Sequence, residues 1–238
     1  MPRSNLILAV ETSSRTGSIA LGDENALLVE RTFSGPFRHS GELFPLLGDL
    51  LGDLQATPDD LSQVFLSRGP GSFTGLRIAV TLAKAMHLAH GVRIVAVDTL
   101  DVIAANVPLA DHVPQVIAAV LDAKRNHFFA AGYQRTAQKG SPGWEKTLDD
   151  SLMTASQILD WCGASGAETG LLGDGLLYHL HAFEAAQVRI LDPSVWSPRA
   201  SNVYRLGLQK ARAGQFEDPL GLTPFYMMAP EVTLKKEE

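Results

Sequence analysis

Apolar residues first fall in short unbroken runs along this chain, and then in helical repeats. Leu6-Ile7-Leu8-Ala9-Val10 is a run of strand length, and Ser18-Ile19-Ala20-Leu21 and Ala26-Leu27-Leu28-Val29 follow after the polar stretches Glu11 to Gly17 and Gly22 to Asn25. Such runs, broken by glycine and small polar residues, predict three strands joined by two tight connections. Leu43, Leu46, Leu47, Leu50, Leu51 and Leu54 then recur at i, i+3, i+4, i+7, i+8 and i+11, on one helical face with Glu42, Asp49 and Asp53 off it. A strand over Val64 to Ser67 leads through a glycine-rich stretch into a helix from about Phe73 to His90, and Val92 to Val97 reads as the next strand. That second helix has a narrow polar stripe of Arg77, Thr81, Lys84 and His87, and small or apolar residues around most of its remaining surface. An arc that wide needs two partners. Periodicity leaves open whether the second is the leucine helix of the same chain or an exposed apolar patch gripped by another protein.

The second half echoes the first. Val116 to Leu121 is an apolar strand ending in Asp122, and the chain resumes as His127 to Tyr133, so both halves run strand, acid, short arginine-bearing loop, strand. Glu11 and Asp122 stand 111 positions apart (122 − 11), close to half the chain, as a duplication with two facing lobes would place them. Ser141-Pro142-Gly143 reads as a turn, Ser156 to Cys162 as part of a short helix, Leu171 to Gly175 as a strand entering a glycine turn, and Asn202 to Ala213 as a helix ending at Gly214. The tail Leu234 to Glu238 is expected to fray.

Composition narrows the class. With 238 residues and 45% hydrophobic content, the chain is long enough for one large core or two lobes. A net charge of −6 argues against a broad phosphate-binding face, with Lys124-Arg125 as a local exception, so any nucleic acid is expected to be held mainly through a partner. The single cysteine, Cys162, excludes an internal disulfide and reads as a buried thiol in a reducing compartment. No apolar stretch approaches a membrane span or a signal segment, so a cytoplasmic location is expected.

The most distinctive segment is Gly69-Pro70-Gly71-Ser72-Phe73-Thr74-Gly75-Leu76-Arg77. Its glycines free the backbone for close contact with a phosphate or another chain, and Ser72 and Thr74 are helix-capping types. A Walker A loop is excluded because Lys84 lies too far along the helix to reach a phosphate held by these glycines. Gly69-x-Gly71-x-x-x-Gly75 with Asp98 beyond the next strand resembles a dinucleotide fingerprint, but Pro70 removes an amide donor, Phe73 fills space, and the opening meander does not fit a doubly wound fold. Among the histidines, His39 is followed four residues later by Leu43, His87 and His90 are i, i+3, and His179 and His181 are i, i+2; none has metal-ligand spacing with an acid. Glu11 and Asp122 either organise a nucleotide across a cleft or accept hydrogen bonds from their own loops; Ala123-Lys124-Arg125-Asn126 lacks the glycine of a phosphate hairpin.

Val10-Glu11-Thr12-Ser13, His39-Ser40, Gly69 to Arg77 and Leu121-Asp122-Ala123-Lys124-Arg125 together, in this order and spacing, resemble the bacterial TsaB family, also called YeaZ. The resemblance implies an α/β, actin-like or sugar-kinase-like fold of two lobes with a duplicated β-meander: residues 1–107, then 108–238, with the helix near 202–213 packing back on the first lobe. It implies a non-catalytic partner of TsaD in forming threonylcarbamoyladenosine beside the anticodon of tRNA. The same resemblance implies that TsaE joins the complex, that ATP or ADP is expected at the complex interface, that the chain forms a homodimer when alone, and that tRNA is met mainly through the complex. The chain would then have no catalytic residue, metal or cofactor of its own. The partner face falls on Leu43, Leu46, Leu47 and Leu50 of the leucine helix and Gly75, Ala79, Leu82 and Met86 of the next. The motif loop is Gly69, Pro70, Gly71, Ser72, Thr74, Gly75 and Arg77, and Glu11, Thr12, Ser13 and Asp122 line a vestigial nucleotide cleft. The alternatives are an ATPase or small-molecule kinase of the actin-like superfamily, a nicotinamide-dependent enzyme, or a glycoprotease-like hydrolase. Two departures stand out: Glu11 where the family more often has aspartate, and Met227-Met228 where an arginine often follows the tyrosine of Pro224-Phe225-Tyr226.

Overall fold

A computed structural model describes residues 5–34, 39–110, 112–136, 143–185 and 188–228. The predicted meander is present as β1 (Leu6–Glu11), β2 (Thr16–Gly22) and β3 (Leu27–Ser34), and α1 (His39–Asp53) carries the leucine repeat. Next come β4 (Leu61–Gly69), α2 (Phe73–His90), β5 (Arg93–Asp98) and the short α3 (Thr99–Ala104). The second half holds β6 (Val116–Lys124), β7 (His127–Thr136), β8 (Gly143–Thr154), α4 (Ala155–Ala164), β9 (Thr169–Leu172), β10 (Val188–Ile190) and α5 (Ala200–Arg212). The turn at Ser141-Pro142 and the tail from Leu234 fall outside the described residues.

The strands form two five-stranded sheets of matching topology, β3-β2-β1-β4-β5 and β8-β7-β6-β9-β10. In each, the central strand pairs antiparallel with the strand after it and parallel with one reached through a helix. This repetition is the duplicated, two-lobed α/β arrangement that the sequence suggests. The chain's continuous apolar runs follow from it: β1, shielded on both faces, is buried at every position.

Helices cover the first sheet on both sides. One face carries Leu43, Leu47 and Leu50 of α1 and Ala79, Leu82 and Ala83 of α2 over Leu6, Leu8 and Val10. The opposite face carries Ala200, Val203 and Tyr204 of α5 over Ile7, Ala9 and Phe65. Gly207 brings α5 down onto the sheet, since a Cβ there would lie 2.5 Å from the Phe65 ring. The second lobe's core centres on β6 and β7 and takes in Leu100 and Ile103 of α3, which ties the two lobes together.

This layering corrects the expected partner face. Leu43, Leu47, Leu50, Gly75, Ala79, Leu82 and Met86 are all buried within the chain, and Leu46 is partly buried against the same core. The wide apolar arc of α2 is taken up by the chain's own sheet, by α1 and by Leu222 of the closing segment. Helical periodicity correctly grouped these residues on shared faces; the sheet of the same chain, having no other cover on that side, claims them. Among the described residues, the large apolar side chains these helices expose are Phe44, 55% accessible, and Leu88, 78% accessible.

Candidate functional site

The junction between the lobes gathers most of the distinctive residues. Parallel strands β1, β4 and β5 end there at Glu11, Gly69 and Asp98, the end of an open α/β sheet where such folds place ligands. Glu11 is completely buried. The Ser13 amide donates to its Oε1 at 2.6 Å, the Ser13 hydroxyl donates to the same oxygen, and the Ser67 hydroxyl donates to Oε2. Burial raises its pKa against these hydrogen bonds, with Asp174 adding a smaller upward push. Both oxygens are therefore engaged inside the protein.

The glycine segment meets its own chain at close range. Ser72 caps α2, its hydroxyl accepting from the Gly75 amide at 3.3 Å, while its own amide donates to Ser13 O at 2.7 Å. Thr12 Oγ1 donates to Gly75 O at 2.7 Å, and a Cβ at Gly75 would fall 1.8 Å from Thr12 O, so only glycine fits. Gly71 faces Ser13 O in the same way, and Gly69, at φ +131°, faces Phe225 O. Pro70 is buried, and Thr74 and Arg77 are exposed. The close approach expected with a phosphate or a second chain is thus made with the β1–β2 loop and the closing segment. Asp98, the ribose-binding acid of the dinucleotide alternative, instead holds Arg68, whose Nε donates to its Oδ1 at 2.7 Å.

Asp122 is in a different state. It is partly exposed, accepts from the Lys124 amide at 2.8 Å and pairs with Lys124 Nζ at 3.2 Å. The hairpin that follows has Lys124, Arg125 and Asn126 at φ 71°, 54° and 58°, three successive left-handed residues without a glycine.

Across the junction, the turn after β9 supplies Asp174. Desolvation raises the pKa of its carboxylate to about 6 against the nearby Ser14 hydroxyl, the Arg15 charge and the Arg15 amide, with Asp122 pushing it up further. Arg15 Nη1 donates to the Tyr178 hydroxyl at 2.6 Å, and its guanidinium lies 4.7 Å from that ring's centroid. Side chains from both lobes thus fasten the β1–β2 loop to the second lobe. Sequence reasoning treated Gly173-Asp174-Gly175 as a plain turn and gave Ser67 no role. A polar residue at the end of an apolar strand, next to the strand bearing Glu11, was the available signal for Ser67.

No group of three or more His, Cys, Asp or Glu that could hold a metal occurs among the described residues. His87 Nδ1 lies 2.8 Å from Val92 O and His90 Nδ1 2.7 Å from Asp59, while the side chain of His39, at the start of α1, is outside the described residues. Cys162 is buried, its thiol pushed up to about 11 by desolvation, which makes it a poor nucleophile. Tyr226 accepts from Arg77 Nε at 3.0 Å and its ring lies 4.9 Å from that of Phe73, while Met227 and Met228 pack on the second lobe's core. No described helix is long and apolar enough to cross a membrane.

Comparison with known proteins agrees with this picture. Residues 37–168 match the family model described as TsaD, tRNA N6-adenosine threonylcarbamoyltransferase. The chain is 31% identical to the tRNA threonylcarbamoyladenosine biosynthesis protein TsaB of Bacillus subtilis, covering 96% of each. It is 30% identical to the protein of the same description from Escherichia coli, over 54% of this chain and 55% of that one. The solved structure of YeaZ from Pseudomonas aeruginosa superposes with a TM-score of 0.77, covering 94% of this chain and 100% of that one at 24% identity, which shows a shared fold.

Proposed function

The chain belongs to the TsaB family and works in tRNA threonylcarbamoyladenosine biosynthesis, and from that premise we propose that it is a non-catalytic partner that activates TsaD. The observation that carries this reading is the engagement of Glu11. In an actin-like kinase, the acid ending the first strand organises a metal and phosphate; here it is sealed, with both oxygens accepting from Ser13 and Ser67. The Asp174 and Arg15 contacts fasten the lobes beside it. An ATPase or kinase working in this cleft would have to break those bonds first, so that alternative is not favoured. ATP or ADP then belongs at an interface of the complex, where TsaE joins.

TsaD docks, in this reading, on the outward side of α1 and α2, where Phe44 and Leu88 stand in solvent. In its absence the same side pairs with a second copy. Reconstituted tRNA modification with purified TsaD and TsaE, with and without this chain, tests the activator role; full activity without the chain refutes it. Phe44→Glu with Leu88→Glu is expected to abolish TsaD association, read by sizing, with the unfolding midpoint unchanged. Ala79→Glu or Leu82→Glu, aimed at buried positions, is expected to unfold the protein.

A further inference from the structure

The helix on the opposite side of the first sheet faces outward with a different chemistry. Residues 199–212 carry four cations, Arg199, Arg205, Lys210 and Arg212, and no acid, in a chain whose net charge is −6. The buried face of α5 is Ala200, Val203, Tyr204 and Gly207; Arg205, Gln209 and Arg212, at i, i+4 and i+7, lie on the side away from it and are exposed. Arg199, also exposed, stands at the N-cap, off this stripe. Among the described residues none of the four cations lies within ion-pair distance of a carboxylate.

They are positioned by neutral groups instead. Arg199 Nη2 donates to Ser194 O at 2.9 Å, Arg205 Nη2 to Ala105 O at 2.9 Å and Asn202 Oδ1 at 3.3 Å, Arg212 Nη2 to Glu24 O at 2.6 Å, and Lys210 Nζ to Ala96 O at 2.8 Å. Each guanidinium is held in place with its charge uncancelled and most of its five donors unused. Helix stability does not explain the pattern. Lys210 and Arg212 complement the dipole at the C-terminus, but Arg199 stands at the positive N-terminus, where acids are favoured and none is present. Of the acids near α5, Glu30 accepts from the Ser201 amide and Asp23 from the Asn25 and Ala26 amides.

We propose that the outward stripe of α5, Arg205, Gln209 and Arg212, binds the phosphate backbone of the tRNA. Oriented, unneutralised arginines with an interspersed amide match a polyanion, and such contacts fix position without reading sequence. The site lies across the sheet from the side assigned to TsaD, so one lobe can hold protein on one helical layer and RNA on the other. The inference rests on the activator reading for its partner, although α5 can be tested separately.

The test measures binding of an unmodified tRNA transcript to the complex of this chain with TsaD over a range of salt concentrations. R205Q/R212Q is expected to weaken binding about tenfold or more and to lower the slope of log K against log salt by roughly two, about one for each phosphate no longer neutralised. R31Q, which removes an exposed cation paired with Asp53 away from α5, controls for general charge. Wild-type affinity and slope for the double variant, or changes equal to those of R31Q, would overturn the proposal. So would loss of TsaD association in the double variant with tRNA binding intact, since α5 would then be a protein surface. If wild-type chain and TsaD form no complex, the activator reading fails instead, and the same variants are compared for tRNA binding by the chain alone, with the same criteria.

Discussion

The two lobes start from one plan and finish it differently at the acid closing their first strand. β1 and β6 hold the same central place in sheets of matching topology, and each ends in a carboxylate before a turn. Glu11 is fully enclosed, with donors from its own loop and from Ser67 on the parallel neighbour β4, whereas Asp122 is partly exposed and takes its hydrogen bonds, among the described residues, from Lys124. In the second lobe the strand corresponding to β4 is β9, and the acid just beyond it, Asp174, reaches across to Ser14 and Arg15 of the first lobe. The comparison teaches that a buried acid with every oxygen engaged has become part of the framework, while its exposed counterpart stays available to water. A duplicated motif therefore need not keep duplicated chemistry.

Removing each acid gives the largest expected contrast. Glu11→Ala leaves the Ser13 amide and the Ser67 hydroxyl unpartnered around a new cavity and is expected to lower stability by about 3–5 kcal/mol. Asp122→Ala, which removes one partly exposed turn acceptor, is expected to cost about 1 kcal/mol. Urea unfolding of both variants at neutral pH decides the matter, and equal losses would break the comparison.

Asp174, which joins the two lobes, sharpens it through pH. Its pKa rises from 3.8 unfolded to about 6 folded, so the folded state holds the extra proton between those values. The favourable contribution is complete below pH 3.8 and is lost as pH rises through 6; above 6, ionisation of this carboxylate in place costs up to about 3 kcal/mol. Asp174→Asn keeps an acceptor for Ser14 or Arg15 without the charge. It is expected to be more stable than the parent at pH 8 by up to that amount, with the gain shrinking below pH 6. A constant difference between the two proteins from pH 4 to pH 8 would assign the effect to the lost hydrogen bonds alone.

Much of this architecture was legible in the chain. Unbroken apolar runs mark central strands buried on both faces, and Gly75 and Ser72 mark the start of α2. β8 escaped because it is a sheet edge whose alternation from Trp144 to Leu152 carries several charges, and α3, at six residues, is too short to show a period. The leucine repeat told which side chains share a face but not what covers it, and here the cover is the chain's own sheet. The Asp174 contact joins residues 160 positions apart (174 − 14) and leaves no local pattern. The cations of α5 were visible one by one, but a net charge of −6 for the whole chain concealed their concentration on one helix.

The smallest expected effect lies in the hairpin after Asp122. Lys124, at φ 71°, begins three consecutive left-handed residues, a conformation costing an L-residue roughly 1–2 kcal/mol that glycine adopts freely. Lys124→Gly keeps the amide that donates to Asp122 and gives up an exposed ion pair worth well under 1 kcal/mol. Glycine's greater freedom in the unfolded chain offsets part of the relief, leaving an expected gain of about 0.5 kcal/mol in thermal or urea unfolding. A loss instead would mean that the Lys124–Asp122 pair holds this turn as firmly as Ser13 and Ser67 hold Glu11, and the contrast between the two lobes would narrow to burial alone.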